Sequence, residues 1–314
     1  MIVLDISGDY TRKGVLIISI DLEFAWGINY GLPRGLPSTC RYLKIVKRRS
    51  RRNVDKLLKF SERFNTPFTW GVVGGLLKSL SKNNFSSYLD FLSKFKLNKD
   101  LYMDEKIWYG ADIVKKIIES KVEHEIACHS FSHIDLSRCS RNTALKEIRK
   151  CKEVMRDYGV NPKTFIFPGN EIGYLDLLKQ EGFKIFRLNG EGVCNNYYPR
   201  YFLHCTLANM VRDLLFPSIV SPILVNGLVG IPSSLYFQSP YNVDVFRMQV
   251  VAIRGINRAV ERKEIFHITM HDYLETDLLL NIFLKVLSYA VKLRDRGKLN
   301  IETMNSYYDK LLNI

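Results

Sequence analysis

The sequence has few cysteines for a chain of 314 residues, and no two of them form a C-x-x-C pair. This scatter excludes a dense disulfide scaffold and favours a reduced, intracellular protein, although a single disulfide stays compatible with it. No apolar run is long enough for a membrane-spanning helix. The first residues lack a basic stretch followed by an apolar one, so we expect no secretory signal and a cytoplasmic location. The cysteines are Cys40, Cys128, Cys139, Cys151, Cys194 and Cys205.

The composition is that of a folded protein with a strong positive charge. Apolar residues make up 46% of the chain, which is enough for a substantial core and excludes wholesale disorder. Lysine and arginine number 46 against 32 acidic residues, a formal net charge of +14. Such a charge predicts attraction to an anionic partner, whether nucleic acid, a phosphorylated lipid or an acidic glycan, without deciding among them.

Apolar segments of strand length alternate with amphipathic helical segments along the chain. The predicted strands are "GVLIISID", "TPFTWGVVGG", "HEIAC", "KTFIFPG", "KIFRL" and "EIFHITMHD", and helical patterns such as "NVDKLLKFSERF" and "TALKEIRKCKEVMRDYG" lie between them. The stretch between "KIFRL" and "EIFHITMHD" is less regular. Alternation of this kind predicts an α/β fold with parallel strands joined by crossover helices.

Ionisable and polar residues follow several of these predicted strands directly. Asp21 and Glu23 end the first strand, His129 and His133 follow the third, and His271 ends a late one. Because chemistry in parallel sheets and barrels gathers at the carboxyl ends of the strands, we expect these side chains to meet. The sequence therefore predicts one site built from several strands.

One carboxylate and two neutral imidazoles with an open position are the ligands of a hydrolytic metal site. The i, i+4 spacing of His129 and His133 predicts that both lie on one face of a helical turn. The i, i+2 spacing of Asp21 and Glu23 puts both carboxylates on one side of a strand. The alternatives are a structural histidine pair, acidic residues that only cap the next segment, and a buried structural His271. His267 lies deeper on the face of His271 and is predicted to be structural.

The order of several segments resembles the polysaccharide deacetylases of the NodB-homology superfamily, which includes carbohydrate esterase family 4. The segments are "SIDLEFAWG", "WYGADIVKKI", "HEIACHSFSH", "FIFPGNEIGYLDLLKQEGF", "GIPSSLYF", "IFHITMHD" and "LRDRGKLNIETM". The resemblance runs from about Gly14 to about Met304. It implies a single domain over residues 1–314 with a deformed (β/α) barrel, and metal-dependent hydrolysis of N-acyl groups on amino sugars.

Carried over by position, the resemblance assigns roles to individual residues. It implies that Asp21 is the general base, that Glu23, His129 and His133 bind a divalent metal, and that His271 is the general acid. Zinc is the default ion, and manganese, cobalt or nickel would also fit. The resemblance further implies substrate contacts, with an oxyanion held near the proline motif. The expected contacts are Pro168, Gly169 and Asn170. Trp26 belongs either to the core or to the pocket wall, and its position close after the acidic pair makes it the candidate for stacking on a sugar.

The sequence departs from the family pattern in two places. Many relatives have an arginine beside the proline motif that orients the base, and glycine occupies position 169 here. Arg187, at the end of the next strand, is the candidate substitute. The family's acidic–tryptophan motif tunes the late histidine, and "GIPSSLYF" lies in roughly that place without an acid.

The basic segment "RYLKIVKRRSRRNVDKLLK" is either the solvated face of a helix or a contact for phosphate or an anionic membrane. Nucleic acid is a poor fit, because no aromatic interleaving accompanies the charge. Two functions stay open. One is a metal-dependent deacetylase that acts on a linear amide bond in an intracellular glycan precursor. The other is a catalytically silent relative that binds a phosphorylated glycan or a membrane. The retained Asp21 favours the first, and the two departures favour the second.

Overall fold

The computed structural model describes residues 13–28, 36–78, 104–190, 214–238 and 242–312. The strands in these residues are β1 Gly14–Leu22, β2 Thr69–Val72, β3 Glu125–Cys128, β4 Thr164–Phe165, β5 Ile185–Leu188, β6 Ile223–Val225, β7 Leu228–Pro232, β8 Leu235–Tyr236, β9 Ile265–His271 and β10 Leu299–Glu302. The helices are α1 Leu36–Phe64, α2 Glu105–Trp108, α3 Ala111–Ile118, α4 Arg141–Arg156, α5 Leu175–Gln180, α6 Asn242–Arg262, α7 Asp277–Asp295 and α8 Met304–Leu311.

The strands form one sheet in the order β6-β7-β5-β4-β3-β2-β1-β9-β8, and β10 also pairs with β1. The described pairs are parallel except β6–β7, which is antiparallel. β2 pairs with the carboxyl-terminal half of β1, while β10 pairs with its amino-terminal half. The expected α/β fold with parallel strands is therefore confirmed.

A short segment brings the two edges of this sheet together. β7 pairs with β5 and β8 pairs with β9, although only two residues separate β7 from β8. Between them, the Ser233 N–H donates to the Leu188 carbonyl of β5 and the Ser234 N–H donates to the His267 carbonyl of β9. The segment from Leu228 to Tyr236 thus closes the sheet into the deformed barrel that the resemblance implies.

Alternate residues of the barrel strands face opposite sides, as the period of two requires. On β1, Val15 and Ile17 pack with Ile185 and Ile265 inside the barrel, together with Met304 of α8. The intervening residues of β1 pack outward in the large core cluster, against residues of the surrounding helices, and these are Leu16, Ile18, Ile20 and Leu22. The inward residues are apolar at the amino ends of the strands and polar towards the carboxyl ends, so polar chemistry is confined to one mouth of the barrel.

The less regular stretch of the sequence contains elements that the pattern does not reveal. β6 and β7 form a hairpin whose turn, Asn226–Gly227, has positive φ at both residues, as a type I′ turn requires. Helix α6 is also absent from the prediction, because it contains Gly255 and several β-branched residues. That glycine is needed for packing, since a Cβ atom there would lie 2.1 Å from the Phe266 ring of β9.

Among the helices that the structure describes, none is long and apolar enough to cross a bilayer. Cys40, Cys128, Cys139 and Cys151 are free thiols. Cys194 and Cys205 lie outside the described residues, and the domain boundaries at residues 1 and 314 stay predictions for the same reason.

Candidate active site

Asp21 and His271 lie directly opposite each other on the neighbouring strands β1 and β9. Both belong to the inward-facing series of their strands, at the carboxyl ends. The Nε2 atom of His271 is 4.0 Å from the nearer Asp21 oxygen and 3.6 Å from Glu23 Oε1. The sequence prediction that these strand ends meet at one site agrees with this geometry.

Arg187 of β5 reaches across the barrel to Asp21. Its two terminal nitrogens donate to the two oxygens of the Asp21 carboxylate at 2.6 and 2.7 Å, the paired geometry in which a guanidinium holds a carboxylate most firmly. Arg187 also donates to Ser19 Oγ at 3.2 Å and to Asn170 Oδ1 at 2.8 Å. All of these groups but Asn170 are buried. The arginine missing from the proline motif is therefore supplied by Arg187, as the sequence suggested.

The electrostatics of Asp21 follow from this pairing. Burial raises the pKa of the Asp21 carboxyl, but the Arg187 guanidinium, followed by the His129 and His271 imidazoles, outweighs it and holds the pKa well below its usual range. Asp21 is accordingly an oriented carboxylate that stays ionised at neutral pH.

Glu23, His129 and His133 form a buried cluster whose ligand atoms all lie within 4.8 Å of one another. Glu23 Oε2 is 2.7 Å from His133 Nε2 and 3.9 Å from His129 Nε2. Ligands bound to a tetrahedral zinc ion at about 2.0 Å are roughly 3.3 Å apart, so these spacings need only small adjustments. The donor set of one carboxylate and two imidazoles suits a divalent ion.

The ring of His129 gives an independent sign that the cluster is a ligand site. Its Nδ1 lies 2.8 Å from the Ile166 carbonyl, which accepts only, so Nδ1 carries the proton and Nε2 has the lone pair. Within the part of the chain that the structure describes, this buried Nε2 has no hydrogen-bond partner. Burial lowers the pKa of His129 to about 4, so the ring is neutral at pH 7. A buried lone pair directed at Glu23 is what a bound cation would satisfy.

The two histidines do not lie on a helix, which corrects the predicted helical turn. They flank a bent loop after β3, in which Ser130 and His133 have positive φ. Ser130 Oγ accepts from the His133 N–H at 3.0 Å. Glu147 of α4 accepts from the N–H of Phe131 at 3.1 Å and from both the N–H and the hydroxyl of Ser132 at 2.7 Å. Hydrogen bonds to side chains, rather than helical periodicity, bring the two rings together at 4.8 Å.

Glu23 is held from both its backbone and its side chain. It is the residue before a 3-10 helix, Phe24–Gly27, and its N–H donates to Asp272 Oδ1 at 3.1 Å. The hydroxyl of Tyr42 on α1 donates to Glu23 Oε1 at 3.2 Å. Burial raises the pKa of Glu23, but the His271 and His133 imidazoles outweigh it and lower the pKa to about 2. Glu23 is thus a carboxylate directed at the histidines.

His271 lies between two tyrosines. The Tyr236 hydroxyl is 2.6 Å from its Nδ1, and the Tyr273 ring stacks on it with centroids 4.9 Å apart. His267 lies four residues earlier on β9, on the same face and deeper in the barrel, and is fully buried. Its Nε2 is 2.9 Å from the Ser19 hydroxyl and its Nδ1 is 3.0 Å from the Pro232 carbonyl. The prediction that His267 is structural agrees with these contacts, while His271 directs Nε2 into the cluster.

Trp26 contacts both Trp108 and Gly75. Its ring is buried, and its indole N–H donates to the Trp108 carbonyl at 2.9 Å. The six-membered ring of the indole packs so closely on Gly75 that a Cβ atom there would lie 2.5 Å from it. The buried ring agrees with the alternative that Trp26 belongs to the core, and stacking of Trp26 on a sugar stays a prediction.

Pro168, Gly169 and Asn170 form a 3-10 turn after β4, with Gly169 at φ 63°. The N–H of Asn170 donates to the Phe167 carbonyl at 2.9 Å, and its side-chain oxygen accepts from Arg187. Asn170 is consequently engaged in holding the turn and Arg187 rather than presenting an oxyanion donor. Substrate contact by this turn stays a prediction.

Sequence reasoning missed four residues that hold the site, namely Tyr42, Glu147, Tyr236 and Asp272. Tyr236 occurs in "GIPSSLYF", the segment already noted for lacking an acid, and Asp272 follows His271 directly. Tyr42 and Glu147 carry no local signal, since each reaches the site from a helix that the sequence only shows to be amphipathic.

Comparison with known proteins agrees with this architecture. Residues 51–184 match the family model described as polysaccharide deacetylase. A Mycobacterium smegmatis protein assigned as a polysaccharide deacetylase superposes with a TM-score of 0.64 at 12% identity, covering 96% of this chain and 91% of that one. The PuuE allantoinase superposes with a TM-score of 0.60 at 11% identity, covering 97% and 90%. At these identities the superpositions establish the fold alone. The comparison with curated protein sequences gave no match.

The matched segment includes His129, His133 and the proline motif. Asp21, Glu23 and His271 lie outside that segment, and the fold brings them to the same site. The resemblance drawn from the sequence motifs is confirmed. Residues 51–184 therefore match the polysaccharide deacetylase family, and the chain has the NodB-type fold.

Proposed function

We propose that this protein is a metal-dependent hydrolase that removes an N-acyl group, acetyl in the first instance, from an amino sugar of a glycan. The observation that carries the proposal is the position of Asp21. Its carboxylate is fixed by Arg187 on one side and faces the Glu23, His129 and His133 cluster on the other. Asp21 Oδ2 is 3.8 Å from His129 Nε2 and 4.0 Å from His271 Nε2. A base, a ligand cluster and an acid thus surround one point at the barrel mouth.

The ligand cluster fits a divalent metal, with Glu23 Oε2, His129 Nε2 and His133 Nε2 as the ligand atoms. A bound ion of this kind supplies Lewis-acid chemistry, since it acidifies a water molecule and polarises a carbonyl. The donor set favours zinc, and manganese, cobalt and nickel accept the same ligands.

Asp21 is the proposed general base. Arg187 keeps its carboxylate ionised and fixes the direction of its lone pairs, although the lowered pKa also makes Asp21 a weak base. The nearer Asp21 oxygen is 3.8 Å from His129 Nε2, so the proposed base lies directly beside the ligand cluster. A base held in this way takes its proton from water without having to reorient.

His271 is the proposed general acid. Its Nε2 points towards the carboxylates at the barrel mouth, whereas its Nδ1 is turned to Tyr236. With a proton on Nε2, the ring can protonate the departing nitrogen of an amide. Cleavage of the carbon–nitrogen bond would then release a carboxylic acid and a free amine.

The catalytically silent alternative loses most of its support. It depended on the missing arginine and the missing acid, and Arg187 and Tyr236 occupy those places with hydrogen bonds of 2.6 to 2.7 Å. The geometry therefore favours the deacetylase.

The anion-binding role of the basic segment on α1 is a separate proposal with less support. Lys47 pairs with Asp104, Arg51 with Asp112, and both Arg49 and Arg52 with Asp277. These partially exposed ion pairs contribute little to stability. They do, however, engage the basic side chains with carboxylates, so less of their positive charge is left for binding a phosphate. An intracellular precursor as substrate, a cytoplasmic location and contact with an anionic membrane stay predictions.

The test is acetate release by purified protein loaded in turn with zinc, manganese, cobalt and nickel. The substrates are N-acetylated oligosaccharides and nucleotide-linked N-acetylamino sugars, and the Asp21→Asn variant serves as the inactive control. We expect metal-dependent release from at least one substrate. No acetate or other acyl release above the control, from any substrate with any of the four metals, would contradict the proposal.

A further inference from the structure

Tyr236 and His271 make a short side-chain contact beside the proposed general acid's Nε2 atom. The phenolic oxygen of Tyr236 is 2.6 Å from His271 Nδ1, and the two rings meet edge to face with centroids 5.5 Å apart. A distance of 2.6 Å is that of a short hydrogen bond between the phenolic hydroxyl and the ring nitrogen.

The backbone places Tyr236 at this nitrogen. Tyr236 belongs to the segment that closes the barrel, and it lies opposite Thr269 in the parallel pair of β8 and β9. The next N–H, from Phe237, donates to the Thr269 carbonyl at 2.7 Å. The strand pairing that closes the barrel thus also fixes the distance between Tyr236 and His271.

The remaining freedom of the imidazole is removed by its other neighbours. Tyr273 stacks on one face of the ring with an interplanar angle of 26°, and that tyrosine in turn meets Tyr42 edge to face at 5.1 Å. With Nδ1 held by Tyr236 and one face covered, Nε2 points at the carboxylates 3.6 to 4.0 Å away.

We propose that Tyr236 is the positioning residue for His271, in the place where the family motif would lead one to expect an acid. The inference rests on the proposed function, because it assigns His271 the transfer of a proton from Nε2. A phenol both donates and accepts, so it pairs with Nδ1 in either protonation state of that nitrogen.

The proton balance keeps Tyr236 out of the reaction itself. Before transfer, Nδ1–H donates to the phenolic oxygen and Nε2 carries the proton to be given. That proton moves to the leaving nitrogen as the carbon–nitrogen bond breaks, and Nδ1–H still donates to the same oxygen afterwards. Tyr236 retains its own proton throughout, so it orients the acid without supplying a proton.

The experiment removes only the hydroxyl, with Tyr236→Phe. The matched control is Tyr158→Phe, which also deletes one tyrosine hydrogen bond, to the Leu77 carbonyl at 3.0 Å, but outside the site. We expect Tyr236→Phe to lower kcat by about ten- to a hundredfold with KM changed less than threefold and bound metal unchanged, the scale seen when the partner of a functional histidine is removed. The control should match wild type in all three quantities.

A second readout does not depend on any substrate. The ¹⁵N chemical shifts of the His271 ring, assigned with His271→Gln and measured at one fixed pH, should move in Tyr236→Phe and stay unchanged in Tyr158→Phe. Unchanged His271 shifts in Tyr236→Phe, or unchanged kcat in an active enzyme, would overturn the proposal. Moved shifts in a protein that hydrolyses none of the substrates would support the Tyr236 contact while the proposed function fails, so the two failures are distinguishable.

Discussion

The Arg187 guanidinium and the Asp21 carboxylate form a two-point ion pair inside the barrel, with nitrogen–oxygen distances of 2.6 and 2.7 Å. The pair joins β5 to β1, between which three strands lie in the sheet on one side. Because both side chains are buried, neither charge has water as an alternative partner. The orientation of the proposed base therefore depends on a residue that lies far away both in sequence and along the sheet.

Removing one member of this pair should destabilise the fold more than removing both. Arg187→Met leaves the Asp21 charge buried, and we expect the free energy of unfolding to fall by about 3–5 kcal/mol. Adding Asp21→Asn should recover a large part of that loss, while Arg187→Lys should keep the charge but lose the paired geometry. Urea denaturation of the single and double variants measures the coupling. Strictly additive losses would show that the pair does not act as one unit.

The metal prediction concerns Glu23, His129 and His133. His133→Ala should lower the bound zinc by at least about tenfold, because a lost ligand is not replaced in a buried cluster. His124→Asn is the matched control, since His124 lies at the amino end of β3 and accepts a hydrogen bond from the Phe68 N–H. Metal analysis after dialysis against micromolar zinc gives the comparison. A wild-type protein that takes up no metal under these conditions would show that the ligand assignment is wrong.

Replacing the Asp21 and Glu23 carboxylates by amides should distinguish the general base from the metal ligand. Asp21→Asn should keep its metal and lose roughly two or more orders of magnitude in turnover, the usual scale for loss of a general base. Glu23→Gln should lose metal and turnover together. The check is metal content and acetate release measured on the same preparations. Equal behaviour of the two variants would mean that Asp21 and Glu23 share one role.

Glu147 should act on metal affinity through the loop alone. Glu147→Ala removes the acceptor for the Phe131 and Ser132 donors between the two histidines, so we expect metal to bind about tenfold more weakly. Saturating metal should restore most of the turnover, since no reacting group is lost. Glu153→Ala, an exposed residue on the same helix, is the control, and titration with zinc is the measurement. Similar affinity in both variants would remove Glu147 from this role.

His124 lies at the base of the barrel, away from the ligand cluster. Its protonation should make the free energy of unfolding depend on pH. Burial lowers its pKa from 6.5 to about 4. Between these pH values the unfolded chain binds a proton at His124 that the folded protein does not bind. The free energy of unfolding is therefore unaffected by this histidine above about pH 6.5 and decreases as the pH falls towards 4. At pH 5 this histidine should account for roughly 2 kcal/mol of the loss. Urea denaturation of wild type and His124→Asn at pH 5 and 7.5 would test it, and an identical pH dependence in both proteins would contradict it.

The sequence by itself determined the strands that carry chemistry and the residues at their ends. Runs of β-branched residues identify β1 and β9, and parallel pairing with a period of two places Asp21 and His271 on the same side at the same end. His129 and His133 were recognisable as a pair from their spacing, although the sequence assigned them to a helix. These features depend on local periodicity and on the common direction of the strands, both of which a single sequence contains.

Only the tertiary structure decided which side chains hold those residues in place. Arg187 reaches Asp21 because the sheet curls and brings β5 across from β1, and Tyr236 reaches His271 because the closing segment pairs with β9. The same packing buried Trp26, for which the sequence left both a core position and a sugar contact open. These contacts, between residues 35 positions apart for Tyr236 and His271 and 166 apart for Asp21 and Arg187, arise from closure of the barrel. No local pattern in the sequence encodes that closure.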